Sequence, residues 1–312
     1  MSAKRYFVLF GKIVVLTALL IACFAIASQL SGVSAPPAER SAAPADTGAL
    51  MKAMLVSSFL EVIALSAVIL RSRWVRWKLT GAVFLGFYGS MTVVAQIESL
   101  VYLRAQLPAG MVPRLFLMGA VVSALFTPIA VIILGKMKRG QTAESRISAT
   151  TLTQYEWLWK LAALAAAYVA LYYLFGYYVA WKNPAVQKYY GGTDPGSFPA
   201  QLGTILNSTP WMFPLQAARA LLWVVLLLPM VRMLKGTSAQ VAVVTACFLS
   251  VWSAQLLLPN PYMPPEVAHA HLVETALSNW LFGFIAGWLL CRHHASFRDI
   301  FRPGREQLAA GL

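Results

Sequence analysis

Charged side chains are almost absent from long stretches of this sequence, and that separation limits the fold more than any other feature. The apolar stretches run for about 20 residues each, which is the length that crosses a hydrocarbon core of about 30 Å as a helix. Only 12% of the residues are charged, whereas soluble domains carry about 25%. The chain is therefore predicted to be an all-α, polytopic helical membrane protein.

Eight stretches meet this length, and each is expected to be helical because lipid offers the backbone no other hydrogen-bond partner. The eight predicted spans cover residues 7–30, 50–70, 79–103, 115–135, 157–181, 211–234, 241–258 and 268–290. No stretch has the composition of a separate globular domain, so residues 1–312 are expected to form a single bundle. Outside the spans we expect a flexible linker at 31–49, an exoplasmic loop at 182–210 and a basic cytoplasmic tail at 291–312.

The basic residues indicate how the bundle is oriented. If the N-terminus is cytoplasmic, 18 of the 25 Lys and Arg fall on the cytoplasmic side, six fall on the opposite side, and Arg219 lies within the membrane. Eight transmembrane helices with both termini cytoplasmic are therefore predicted, in a multi-pass protein of a bacterial inner membrane. Because the charges follow this pattern, the net charge of +14 indicates the lipid bilayer as a partner and not nucleic acid.

The first span has a second interpretation. Basic residues precede an apolar run at 13–26, and the triplet at 25–27 (Ala-Ile-Ala) resembles a signal-peptidase site. Cleavage there would leave seven spans with the same remaining topology. The apolar residues at 6–10 lengthen the run and favour an uncleaved helix.

Ionisable side chains within the spans are the leading candidates for functional residues, since each costs about 2.5–3.5 kcal/mol on insertion scales. They are Glu61, Glu98, Arg219 and Glu274, and His271 lies close to the start of the last span. At a rise of about 1.5 Å per residue, all of them except Glu61 lie at a similar depth in the outer half of the bilayer. Spans three, six and eight are therefore expected to converge on a shared polar site.

Two neighbours extend the candidate site around the arginine. Gln216 shares a helix face with Arg219, and Tyr102 lies one turn from Glu98. A buried arginine needs a carboxylate or an anionic ligand, because it does not lose its proton. Arg219 is therefore expected either to form a structural bridge to Glu98 or Glu274, or to bind the carboxylate or phosphate group of a ligand.

His271 and Glu274 stand on one face of the last span, three residues apart. Together with Glu98, they would supply ligands for a divalent metal, the one cofactor that the sequence suggests. They would equally well share a proton. The structural alternative is that His271 caps the helix end and Glu274 pairs with a neighbouring basic group.

A count of the membrane charges favours protons or cations as ligands. The three glutamates exceed Arg219 by two negative charges when His271 is neutral. A site of low dielectric constant needs protons, a bound cation or water to offset such a surplus. Glu61, the deepest acid, has no basic residue in its own span and is expected to be protonated unless it is paired.

The remaining motifs indicate packing or surface roles. The three cysteines are scattered and are expected to be unpaired. Gly283 and Gly287 have the spacing of a close helix contact, and His293 and His294 are expected to touch lipid headgroups. The sequence has no GxSxG, HExxH or Gly-rich phosphate loop.

Three functions remain open from the sequence. The first is binding or transport of a small solute, proton or cation at the outer polar site. The second is a metal-dependent intramembrane enzyme that acts on a lipid or a peptide, with His271, Glu274 and Glu98 as metal ligands. The third is a non-catalytic subunit whose buried charges fix the helix register. The sequence does not indicate an oligomeric state.

Overall fold

A computed structural model describes residues 3–33, 47–103, 107–138, 152–260, 262–294 and 296–301. Within these ranges the chain is helical and has no strand, and eight helices are long and apolar enough to cross a membrane. We number them as spans one to eight: Ala3–Ser31, Thr47–Arg71, Arg76–Tyr102, Met111–Ile133, Gln154–Trp181, Met212–Met233, Ser238–Leu257 and Pro265–Leu290. The eight predicted spans are confirmed as helices, and every end lies within four residues of its predicted position.

Some predictions fall on residues outside the described ranges. Most of the predicted linker lies at 34–46 and half of the predicted tail lies at 302–312, so both expectations stay predictions. The orientation of the bundle and the cleavage of the first span also stay predictions.

The loops that carry many of the basic residues contact one another at one end of the bundle, which we call the basic end. The backbone N–H of Arg76 donates to the carbonyl of Lys136 at 3.0 Å, and the N–H of Lys235 donates to the carbonyl of Arg71 at 2.9 Å. Ser72 also pairs with Leu234, just after span six, in an antiparallel β-bridge. The loops after spans two, four and six therefore lie together.

At the other end, the predicted loop at 182–210 folds into two short helices. The first cap helix is Pro184–Tyr190 and the second cap helix is Phe198–Ser208. Asn183 begins the first one by accepting a hydrogen bond from the N–H of Ala185, and Gly191, at φ 70°, ends it. The buried Val186 packs with Val267 at the start of span eight. The first cap helix therefore covers this end of span eight.

Three spans depart from α-helical geometry. Spans three and five contain π-helical segments at Gly89–Val93 and Gly176–Trp181, and span seven ends in a 3-10 segment at Val251–Leu257. Such segments are frequent at functional sites because they turn side chains away from the regular helical register. The π segment of span five begins beside the last span: a Cβ atom at Gly176 would lie 3.5 Å from Oε1 of Glu274.

Spans seven and eight pack closely through the two glycines that the sequence singled out. A Cβ atom at Gly283 would lie 2.8 Å from the Cα of Ala246, and one at Gly287 would lie 2.9 Å from the Cα of Ala242. Real Cβ atoms do not approach a backbone so closely. The prediction that these glycines form a close helix contact is confirmed.

Candidate polar site between the spans

Arg219 is the centre of a buried hydrogen-bonded group. Its side chain is 5% exposed, and its Nη1 lies 2.7 Å from Oε1 of Glu98. The same nitrogen donates to Oε1 of Gln216 at 2.7 Å. Spans three and six therefore converge, and of the alternatives that the sequence left open, the Arg219–Glu98 bridge is present. The Glu98 side chain is 38% exposed, so this carboxylate lies at the edge of the site.

Two tyrosines extend the group into span five. Gln216 donates from Nε2 to the hydroxyl of Tyr102 at 3.4 Å. The hydroxyls of Tyr102 and Tyr172 lie 2.6 Å apart, so one donates to the other. A continuous series of contacts thus runs from Glu98 through Arg219 and Gln216 to the two phenols.

His271 and Glu274 form the second part of the site. Nδ1 of His271 lies 2.6 Å from Oε2 of Glu274, a distance that requires a proton between the two atoms. On the other side of the ring, Nε2 lies 3.1 Å from the hydroxyl of Tyr190 in the first cap helix. Both nitrogens of His271 therefore have a partner.

Tyr190 connects the two parts electrostatically. Burial raises the pKa of this phenol, and the carboxylates of Glu98 and Glu274 raise it further. Carboxylates of spans three and eight therefore influence the same hydroxyl. The hydroxyl keeps its proton at neutral pH. We call the eight residues of the two parts the polar cluster: Glu98, Tyr102, Tyr172, Tyr190, Gln216, Arg219, His271 and Glu274.

Glu61 does not bond to the polar cluster. Its side chain is buried between spans two and seven, where Nε2 of Gln255 donates to its Oε1 at 3.2 Å. Its Oε2 has no hydrogen-bond partner among the described residues. The charge surplus predicted from the sequence included Glu61, which lies outside the polar cluster. The cluster itself has two carboxylates and one guanidinium. It carries a charge of −1 when His271 is neutral.

The geometry does not supply the ligand set expected for a metal. In the described part of the chain, no group of three or more His, Cys, Asp or Glu side chains is arranged to hold a metal ion. His271 and Glu274 are adjacent, but Glu98, the expected third ligand, is held by Arg219. The metal hypothesis stays a prediction.

A second buried ionic group lies at the basic end. Lys160 is fully buried, its Nζ lies 2.6 Å from Oε1 of Glu156, and it donates to the carbonyl of Arg292 at 2.5 Å. Oε2 of Glu156 lies 2.6 Å from Nδ1 of His293. Its Oε1 also accepts a hydrogen bond from the backbone N–H of His294. This group fixes the chain just after span eight to the start of span five.

The expectation that His294 touches lipid headgroups is wrong. The ring is buried and packs against Trp159 and Trp288. Burial lowers the pKa of His294 to about 4, and the charges of Lys160 and Arg292 act in the same direction. His294 is therefore neutral at physiological pH.

Sequence reasoning missed two members of the polar cluster. Tyr172 is one of several tyrosines in span five that give the same sequence signal. Two of them also lie beside the cluster: the Tyr168 ring centre is 5.7 Å from the Arg219 guanidinium, and the Tyr173 ring packs against Tyr172. Tyr190 lies outside the spans, so a search for polar residues within the membrane does not reach it. The turn signals around it, Asn183-Pro184 and Gly191, could have indicated the short helix that carries it.

The chain matches no protein-family model, no curated protein and no solved structure.

Proposed function

We propose that this polytopic membrane protein is a transport protein that binds a proton at His271 of the polar cluster. The observation that carries the proposal is the pair of partners on the imidazole ring. Glu274 accepts a hydrogen bond from Nδ1–H, and the Tyr190 hydroxyl faces Nε2.

These partners suit both charge states of the ring. When His271 is neutral, Nε2 accepts a hydrogen bond from the hydroxyl of Tyr190. When a proton binds to Nε2, the hydroxyl turns and its oxygen accepts the new N–H, because a phenol both donates and accepts. Proton uptake and release therefore need no movement of a heavy atom, and Glu274 stabilises the imidazolium throughout.

The charge of the cluster supports the same function. With neutral His271, the cluster holds one negative charge in excess, which is costly where few waters reach it. Binding a proton at His271 brings Glu98, Arg219, Glu274 and His271 to a net charge of zero. Glu98 is the most exposed ionisable member, and it would be the first to meet a proton or a small solute that enters the site.

Charge movement after a pH jump tests the proposal without a known solute. Proteoliposomes adsorbed on a supported membrane are stepped from neutral to mildly acidic buffer, and the transient current is recorded. The purified wild-type protein is expected to show a current that grows with the size of the pH step. His271→Gln and Glu274→Gln are expected to lose it.

His269→Gln is the matched control, because His269 lies two residues away on the same helix and is exposed. It should retain the current of the wild type. If His271→Gln elutes and unfolds like the wild type and still gives the current of the wild type, His271 is not the proton-binding residue. That result would favour the third function, in which the buried charges only hold the spans together.

A further inference from the structure

One face of span one is buried in the bundle at residues 16–31, and the same face is partly exposed nearer the N-terminus. Five of its six buried residues follow helical spacing along one side: Leu16, Leu20, Cys23, Ala27 and Ser31. The same spacing carried toward the N-terminus reaches Lys12, Leu9 and Arg5. Leu9 still packs against the core, whereas Arg5 is exposed.

A groove of about 500 Å³ lies along this continuation, and we call it the basic groove. Lys4, Arg5 and Lys12 provide its polar wall. Its apolar wall consists of side chains of span one, of Leu70 at the end of span two and of Leu134 just after span four. The basic groove therefore combines three positive charges with an apolar wall, at the basic end of the bundle.

The positive charges of the groove have no counter-charge in the described part of the chain. None of the described residues that line the groove is acidic, and none of the ion pairs among the described residues includes Lys4, Arg5 or Lys12. The segments 139–151 and 302–312, which lie outside the described ranges, each have two Arg and one Glu and so do not supply net negative charge.

The length of span one places the groove at the membrane surface. Its 29 residues extend about 43 Å at the rise of an α-helix, about 13 Å more than the hydrocarbon core. Spans two and four end at Arg71 and Ile133, so Leu70 and Leu134 mark the edge of the hydrocarbon region at the basic end. The basic side chains of span one therefore lie at headgroup level, with the apolar wall directed toward the acyl chains.

We propose that the basic groove binds the headgroup of an anionic phospholipid. The lipid phosphate contacts Lys4, Arg5 and Lys12, and an acyl chain lies against Leu9, Leu70 and Leu134. Basic pockets between spans bind anionic headgroups in this way, because the positive side chains meet the phosphate while the apolar wall replaces neighbouring lipid. The site is independent of the polar cluster, which lies toward the opposite end of the spans.

Lipid titration of the full-length protein in detergent, followed by native mass spectrometry, tests the proposal. Phosphatidylglycerol and phosphatidylcholine with identical acyl chains are the probes, and glycerol phosphate is the chain-free probe. The wild type is expected to bind one phosphatidylglycerol with clear preference over phosphatidylcholine. Replacing Lys4, Arg5 and Lys12 together by Gln is expected to weaken that binding on the order of 100-fold, since each charge near the surface contributes about fivefold.

The matched control replaces Lys78, Lys235 and Arg298 by Gln, which removes the same charge from exposed positions elsewhere on the described chain. It should retain the bound lipid. A second variant, Leu70→Trp, keeps every charge but fills the apolar wall, and it should also lower the affinity for phosphatidylglycerol. Equal binding of both lipids by the wild type, or equal loss in the control, overturns the proposal. Saturation by glycerol phosphate at the same concentration as the lipid overturns the lipid as the ligand.

Discussion

Two histidines of span eight show how a side chain's surroundings decide its role. His269 and His271 are separated by one residue, yet His269 is exposed, whereas His271 has a partner on each ring nitrogen. The difference follows from the helix, since residues two apart point about 160° away from each other. The sequence predicted which of the two faces the glutamate, because His271 and Glu274 are three residues apart.

Arg219 shows what the sequence could predict at the scale of a residue. A buried guanidinium must have an anionic partner, so the sequence reduced the possibilities to two carboxylates or a ligand. The choice of Glu98 depends on how the spans pack, and local sequence does not determine that. The hydrogen bonds to Tyr102 and Tyr172 depend on the same packing.

The buried His294 contributes to the pH dependence of the free energy of unfolding. Because the pKa of His294 is about 4 in the folded protein and about 6.5 in an unfolded chain, the unfolded state takes up a proton first as pH falls. The contribution of neutral His294 to the free energy of unfolding is fully present above about pH 6.5. It is lost as the pH falls toward 4, which lowers the free energy of unfolding by about 2–3 kcal/mol. Thermal unfolding in detergent at neutral and acidic pH measures the loss.

His294→Phe removes this titration and should show a smaller fall in the unfolding midpoint on acidification than the wild type. His269→Gln, which changes an exposed ring, should behave like the wild type. The explanation would be wrong if His294→Phe and the wild type lost the same stability between neutral and acidic pH.

At the scale of the element, composition predicted the helices but not their interruptions. All eight spans were predicted from the length of the apolar runs, because lipid leaves the backbone no alternative to a helix. The π segments at Gly89–Val93 and Gly176–Trp181 have no comparable signal. The first π segment packs closely on span four, since a Cβ atom at Gly119 would collide with the side chain of Thr92.

The contact between spans seven and eight gives a prediction at this scale. Gly283→Ala places a methyl group 2.8 Å from the Cα of Ala246, so the two helices must separate. A loss of about 1–3 kcal/mol is expected, as for other overpacked sites. The midpoint of thermal unfolding measures it.

Gly81→Ala is the control for that substitution, since a Cβ atom at Gly81 would meet nothing within 4 Å. This variant should be as stable as the wild type or more stable by about 0.5–1 kcal/mol, because alanine is the better helix former. Equal losses in both variants would mean that backbone conformation, and not the helix contact, determines the cost.

At the scale of the whole molecule, the ionisable residues of the membrane divide into separate groups. The polar cluster combines side chains of spans three, five, six and eight with the first cap helix. Glu61 bonds to Gln255 of span seven instead, and Glu156 and Lys160 belong to the basic end. Depth along each span predicted the first grouping, because residues at one depth meet when the spans pack side by side. It did not predict that Glu61 turns toward a different neighbour.

The protonation state of His271 at different pH values shows whether this ring binds a proton. Nitrogen NMR of histidine-labelled protein in lipid, between about pH 5 and pH 8, distinguishes the neutral ring from the imidazolium. His271 is expected to change between the two forms in this range, with both nitrogens hydrogen-bonded in each. Glu274→Gln should alter the titration of His271. A His271 ring that stays in one form throughout would show that it does not bind a proton. A ring that titrates alike with and without Glu274 would show that Glu274 does not stabilise the imidazolium.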